Sequence, residues 1–168
     1  TGAAGFLGQY FTQALQEAGA HVITTDIKGE VNFTMDVTDP KSIDEAFSQA
    51  TNGIQLHTVI NNAAIDAKFD PTATANDRLF ENYPDQLLRQ SIDVNLRGYV
   101  LVAQAAVRYF RQQKPSSGHI INISSIYGLV GPDQRIYPDG TQKPVDYAIT
   151  KGGVIMLTKY LATTYGAQ

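Results

Sequence analysis

Tyr147-Ala-Ile-Thr-Lys151 sets a phenol and a primary amine four residues apart, a spacing that stacks the two on one helix face. An ammonium beside a phenol favours the phenolate and draws the tyrosine toward the range of a general acid/base. Taken alone the pair is common and reads as a solvated surface couple. A second grouping, Thr1-Gly2-Ala3-Ala4-Gly5-Phe6-Leu7-Gly8, carries three glycines immediately before a helical apolar pattern. Glycine lets backbone approach a pyrophosphate where a Cβ would hold it off, and the helix that follows offers free N–H groups and the positive end of a dipole. The same three glycines also fit a plain turn before a glycine-capped helix. Asp26 narrows the choice. It ends the next β-rich run about 20 residues on, where a carboxylate accepts hydrogen bonds from both adenosine ribose hydroxyls and repels a 2′-phosphate. NAD is therefore favoured over NADP, although Lys28 softens that repulsion. The turn lacks the Gly-Lys-Ser/Thr ending of a P-loop, which argues against an NTPase.

These residues need elements to position them. Apolar residues at helical spacing run from 5 to 19 and stop at Gly19. Residues 21–26 and 31–36 read as short strands, and 39–50 as a helix with Asp39 as N-cap and Pro40 at its first position. A buried-type strand at 56–60 runs into Asn61-Asn62-Ala63-Ala64. Residues 65–83 read as a loop, 84–113 as one long helix, 119–124 as a strand, 128–144 as a Gly/Pro-rich loop and 145–165 as a last helix. Strands alternating with helices predict βαβ units and a parallel sheet covered on both faces. The whole reads as one α/β domain.

Composition sets outer bounds. The 168 residues carry 43% apolar and 17% charged side chains and a net charge of −3, ordinary for a soluble domain and without general attraction to nucleic acid or anionic membranes. There is no cysteine, so neither a disulfide framework nor a thiolate metal site. His21, His57 and His119 lie far apart without ligand spacing, so no metal is expected. No run approaches the ~18 apolar residues of a membrane span, and nothing resembles a signal peptide. A cytoplasmic location is the expectation.

The ordered set Thr1-Gly-x-x-Gly-x-x-Gly8, Asp26, Asp36-Val37, Asn61-Asn-Ala-Ala64, Asn95, Asn122-Ile-Ser-Ser125 and Tyr147-x-x-x-Lys151 resembles the short-chain dehydrogenase/reductases. Each member has a bland reading beside the functional one. Asn95, Asn61, Asn62 and Ser125 are types that often bond nearby backbone; it is their joint order that carries the resemblance. The resemblance implies a Rossmann-type doubly wound parallel sheet binding NAD. It implies that Tyr147 moves the substrate proton, that Lys151 holds the nicotinamide ribose and lowers the tyrosine pKa, and that Ser125 bonds the reacting oxygen. Asn95 would hold a water in a relay through Lys151. Gly2, Gly5, Phe6, Leu7 and Gly8 would form the phosphate turn, Asp26 would hold the ribose, Asp36 would face the adenine amino group, and Val37 would pack on the ring. Asn61, Asn62, Ala63 and Ala64 would line the cofactor and pin the central strands.

Two features depart from one another. The glycine spacing is that of the extended branch of the family, whereas the asparagine, serine, tyrosine and lysine set looks like the compact branch, with Ala64 where glycine is usual. Ser125 and Tyr147 stand 22 positions apart, wider than in most compact members, so the extra residues, 131–144, loop over the substrate side. That insertion, with Ser125-Ile-Tyr-Gly128 and Pro144-Val-Asp-Tyr147, is similar to bacterial oxidoreductases of surface-polysaccharide or flagellin-glycan sugars. Its Asp133, Arg135, Tyr137 and Asp139 suit hydrogen bonding to a polyol, although loops are polar in any case.

The leading expectation is an NAD-dependent oxidoreductase interconverting a secondary alcohol and a ketone on a small sugar- or polyol-like substrate. A sugar-nucleotide epimerase or dehydratase with retained NAD, and a dinucleotide-binding sensor without catalysis, are the alternatives. The family's first, central strand would precede Thr1, and its C-terminal strands would follow Gln168. The chain is therefore expected to be one domain cut at both ends, unstable and inactive by itself. Apolar residues around much of the helices at 84–113 and 145–165 suggest pairing with a second copy, or equally an internal core. The arginines at 89, 97, 108 and 111 read as a solvated face.

Overall fold

The computed structural model describes residues 1–66, 74, 76–137 and 142–166. Helix α1, Phe6–Glu17, begins at Gly5, whose extended backbone forms the N-cap without a side-chain capping bond. It ends where Gly19, at φ 85°, turns the chain so that the Ala20 N–H donates to the Leu15 carbonyl, a closure that glycine makes without Cβ strain. Helix α2, Pro40–Ala50, starts as the sequence predicts: Asp39 accepts from the Lys41 N–H, and Pro40 occupies the first turn.

The strands are shorter than expected. β1, Thr25–Asp26, and β2, Phe33–Thr34, form one parallel pair. β3, Thr58–Asn61, and β4, His119–Asn122, form another, with Asn61 opposite Asn122. No ladder joins the two pairs among the described residues. A cavity of about 770 Å³ lies between them, with Phe11 and Leu15 of α1 on one side and Ile23, Leu56 and Ile60 on others. The expected ladder over 21–26 therefore narrows to two residues, and the apolar face of α1 meets this cavity in place of a packed core. The topology is that of an incomplete doubly wound parallel sheet.

The packed core lies on the other side. Met35, Val37, Ile43, Phe47, Val59, Val102, Ala106 and Phe110 form one buried cluster, in which α2 and α4, Gly98–Gln112, cover the strands. The long helix expected over 84–113 is interrupted. α3, Asp85–Ile92, passes into a π-helical turn, Asp93–Arg97, before α4 resumes. Such a turn inserts a residue into the helical register and is frequent at functional sites. Here its centre is Asn95. α5, Val145–Tyr165, follows prediction. The loop at 65–83 contains short 3₁₀ turns at Asn76–Arg78 and Phe80–Asn82, and 67–73 and 75 are outside the described residues.

Candidate functional site

A groove of about 730 Å³ opens at the N-terminus of α1. Gly2, Gly5, Phe6, Leu7, Asp26, Asp36, Val37, Asn62, Ala63 and Ala64 all line it, so ten of the residues expected to hold a dinucleotide meet in one place. Gly2 has φ 66°, and a Cβ there would stand 2.6 Å from the Ala63 Cα. A Cβ on Gly8 would collide with the Gly2 carbonyl oxygen and come within 2.7 Å of the Ala3 Cα. The turn is thus a close backbone cradle that only glycine permits. No side chain caps the helix, which leaves its first N–H groups available to a pyrophosphate. The residues fit a dinucleotide.

Side chains hold this cradle from behind. The Asn62 amide donates to the carbonyls of Thr1 and Gly2, at 3.3 and 3.0 Å. Asp26 accepts from the Ala4 N–H at 3.1 Å and from the Ile27 N–H at 2.7 Å. Its carboxylate therefore ties β1 to the turn as well as lining the groove. Asp36 accepts from both the N–H and hydroxyl of Thr38. Val37 packs on Gly98, where an added Cβ would stand 2.9 Å from its Cγ2. Four expected cofactor residues are not on its wall: Tyr147 and Lys151 belong to α5, and Gly8 and Asn61 lie behind the groove. Gly8 is buried under the turn, and Asn61 donates to the Tyr99 carbonyl and to the Asn122 side chain.

Beyond β4 the chain runs through Ser124 and Ser125 into a 3₁₀ turn, Ile126–Gly128, which packs against α5. The contact is close because Gly128 has no side chain: a Cβ there would lie 2.6 Å from the Lys151 carbonyl oxygen. Ser124 donates to that same carbonyl at 2.8 Å. Ser125 accepts from the Tyr127 N–H at 3.2 Å. Lys151 is buried, and its ammonium donates to the Ile123 carbonyl at 2.7 Å and stands 5.9 Å from the Tyr147 ring centre. Desolvation holds its pKa below the ordinary lysine value. The Tyr99 hydroxyl donates to the same carbonyl of Ile123, and burial, with Tyr147 nearby, pushes its pKa up.

Asn95 is wholly buried, and both ends of its amide are used by one residue. Its Oδ1 accepts from the Ile65 N–H and its Nδ2 donates to the Ile65 carbonyl, each at 2.8 Å. The side chain therefore fixes the segment leaving β3, and any relay through this position would have to use other atoms of the π turn. The residue before Tyr147, Asp146, is also buried and accepts a short hydrogen bond from the Ser91 hydroxyl of α3. Burial first, and then the Asp146 charge, push the Tyr83 phenol up. Sequence reading missed Asp146 and Ser91. A carboxylate at the start of α5 was visible, but not its burial.

The inserted loop is arranged differently from expectation. Asp133 and Arg135 satisfy one another through two 2.8 Å contacts in solvent, and that bond lowers the Asp133 pKa. Tyr137 bonds the Tyr127 hydroxyl at 3.1 Å. Asp139 is outside the described residues. No cluster of metal-binding side chains occurs among the described residues, and no helix there is long and apolar enough to cross a membrane.

Comparison with known proteins agrees with this geometry. L-fucose dehydrogenase of Mus musculus is 32% identical over 87% of the chain, which spans 46% of that protein. The post-translational flagellin modification protein A of Campylobacter coli is 27% identical over 88% of the chain, which spans 58% of it. A short chain dehydrogenase of Leptospira borgpetersenii, crystallised with bound NAD+, superposes over 99% of the chain and 64% of its own length, with a TM-score of 0.76 and 28% identity. The family model described as short chain dehydrogenase matches residues 1–168. The chain belongs to the short-chain dehydrogenase family.

Proposed function

We propose that this chain forms the nucleotide-binding and catalytic portion of an NAD-dependent oxidoreductase that interconverts a secondary alcohol and a ketone on a sugar- or polyol-like substrate. The observation that carries this reading is the placement of Ser125, Tyr147 and Lys151 on two packed segments, the 125–128 turn and α5. A bound nicotinamide dinucleotide supplies the hydride acceptor or donor. Gly2, Gly5, Phe6 and Leu7 would receive its pyrophosphate at the α1 N-terminus, with Gly8 packed beneath the turn, while Asp26 would take the adenosine ribose and Asp36 and Val37 would flank the adenine. Asn62, Ala63 and Ala64 line the remaining wall, and Asn61 ties β3 to β4 beneath it. The Asp26 carboxylate is the reason to prefer NAD over NADP.

At the reacting carbon, the Tyr147 hydroxyl takes or gives the substrate proton while Ser125 orients the substrate oxygen by hydrogen bonding. Lys151 anchors through the Ile123 carbonyl, which leaves its remaining N–H groups to the nicotinamide ribose and to proton transfer. Asn95 holds Ile65, which lines the groove. The similarity to an L-fucose dehydrogenase supports a carbohydrate substrate. We also propose that the protein acts as a small-molecule enzyme in the cytoplasm, as one domain pairing with a second copy through α4 and α5. The exposed Ile149, Met156 and Tyr160 of α5 favour that pairing.

The test is turnover of a panel of aldoses and polyols with NAD and with NADP. Transfer of deuterium from the substrate carbon to nicotinamide, faster with NAD, is the expected result. Tight nucleotide binding without net turnover would instead favour retained NAD in an epimerase or dehydratase.

A further inference from the structure

Around Tyr147 lies a second group of polar side chains that the reaction does not use. Lys143 stands one helical turn before Tyr147 in sequence, with its ammonium 4.4 Å from the Tyr147 ring centre. That side chain is only 18% exposed, and it pairs with Asp66 at 3.4 Å. Asp66 also lines the nucleotide groove and directly follows Ile65, the residue gripped by Asn95. The ion pair thus straddles the boundary between the groove and the tyrosine. On the other side, Tyr127 meets the Tyr147 ring edge-on at 6.4 Å and shares a 3.1 Å hydroxyl contact with Tyr137.

We propose that the Lys143–Asp66 pair and the Tyr127–Tyr137 pair form the recognition site for a neutral polyhydroxylated substrate, with Lys143 and Asp66 gripping the hydroxyl beside the reacting carbon. The inference rests on the oxidoreductase reading above and specifies its substrate class. The ion pair decides the charge. An anionic substituent meets Asp66 and a cationic one meets Lys143, whereas a hydroxyl donates to the carboxylate and accepts from the ammonium at once. The position follows from Tyr147. A substrate oxygen bonded to the tyrosine hydroxyl brings its neighbouring carbon toward the ammonium that already lies over the ring. Of the two phenols in contact, one donates to the other, so one hydroxyl proton of the pair remains to donate. Asp133 and Arg135, each satisfied by the other in solvent, are left out of this site.

The experiment compares wild type, Lys143→Met and Asp66→Asn in the full enzyme on aldoses, on deoxy analogues lacking the hydroxyl next to the reacting carbon, and on phosphorylated or acidic sugars. Nucleotide titration and thermal melts show which variants are folded. Removing the hydroxyl is expected to lower wild-type kcat/KM about tenfold or more, as loss of a hydrogen bond to a charged group does. In either variant that penalty shrinks several-fold, because one of the two charged partners is lost while the other still bonds the hydroxyl. Lys143→Arg keeps the charge and keeps the penalty, and it carries the test with Asp66→Asn if Lys143→Met does not fold. An undiminished penalty in both neutralised variants overturns the proposal, as does a wild-type preference for phosphorylated or acidic sugars; either leaves the oxidoreductase reading standing. Absence of any nicotinamide-linked turnover overturns that reading and this site with it.

Discussion

The two halves of the candidate site are built by opposite means. The nucleotide half is made of backbone. Gly2, Gly5 and Gly8 bring chain segments so close that a Cβ on Gly2 or Gly8 would meet main-chain atoms. The reaction half is made of buried side chains bonded to backbone: Asn95 to Ile65 and Lys151 to Ile123. The nucleotide half therefore fails when an atom is added at Gly2 or Gly8, whereas the reaction half fails when these side-chain atoms are removed and tolerates no addition at Gly128, where the turn meets α5.

The largest effect is expected from adding one. Gly8→Ala forces a Cβ into the Gly2 carbonyl and should cost about 3 kcal/mol or more, or prevent folding, as overpacking against fixed backbone does. Gly5→Ala is the contrast within the same turn, because its nearest obstacle lies 3.3 Å away. Denaturant unfolding of the two variants should separate them clearly, and equal losses would show that the turn is not held as tightly as its contacts imply.

In the other half, Asn95→Ala removes both bonds to the Ile65 main chain and empties the buried space that the Asn95 amide fills. A loss of about 2–4 kcal/mol is expected, with kcat falling further than nucleotide affinity. A smaller contribution comes from Lys151. Burial lowers its pKa below 10.5 in the folded protein. Between those two values the unfolded chain binds more protons, so this residue makes stability rise with pH across that alkaline window and leaves a constant deficit below it. Lys151→Met should abolish that slope in melts recorded at successive alkaline pH values. The smallest effect belongs to Arg135→Ala. Its partner Asp133 shares its exposure to solvent, and the melting temperature should not move measurably.

Much of this was legible in the sequence. Asp39-Pro40 marks a helix start by chemistry confined to neighbouring residues, and α2 begins there. The Gly2, Gly5 and Gly8 spacing with Asp26 marks the groove for the same reason. What escaped depends on contacts between distant segments. Nothing local in Asp93-Val-Asn-Leu-Arg97 signals a π turn, since its apolar spacing continues a helix on either side. Asp146 looks like an ordinary acid in a first helical turn until Ser91, 55 residues away, is seen to donate to it. Lys143 and Asp66 are separated by 77 positions, and no periodicity links them. The ladders over 21–26 and 31–36 shrank because pairing, more than β propensity, sets the length of a strand.

The oxidoreductase reading depends on chemistry at Tyr147, which one comparison tests most directly. Wild type and Tyr147→Phe are assayed side by side for nicotinamide-linked alcohol oxidation and for nucleotide affinity. Loss of the hydroxyl should lower kcat by about 10²–10⁴-fold, the range of general acid/base catalysis, while the affinity for the nicotinamide dinucleotide stays unchanged. Turnover by the phenylalanine variant at the wild-type rate would contradict the assignment of proton transfer to Tyr147.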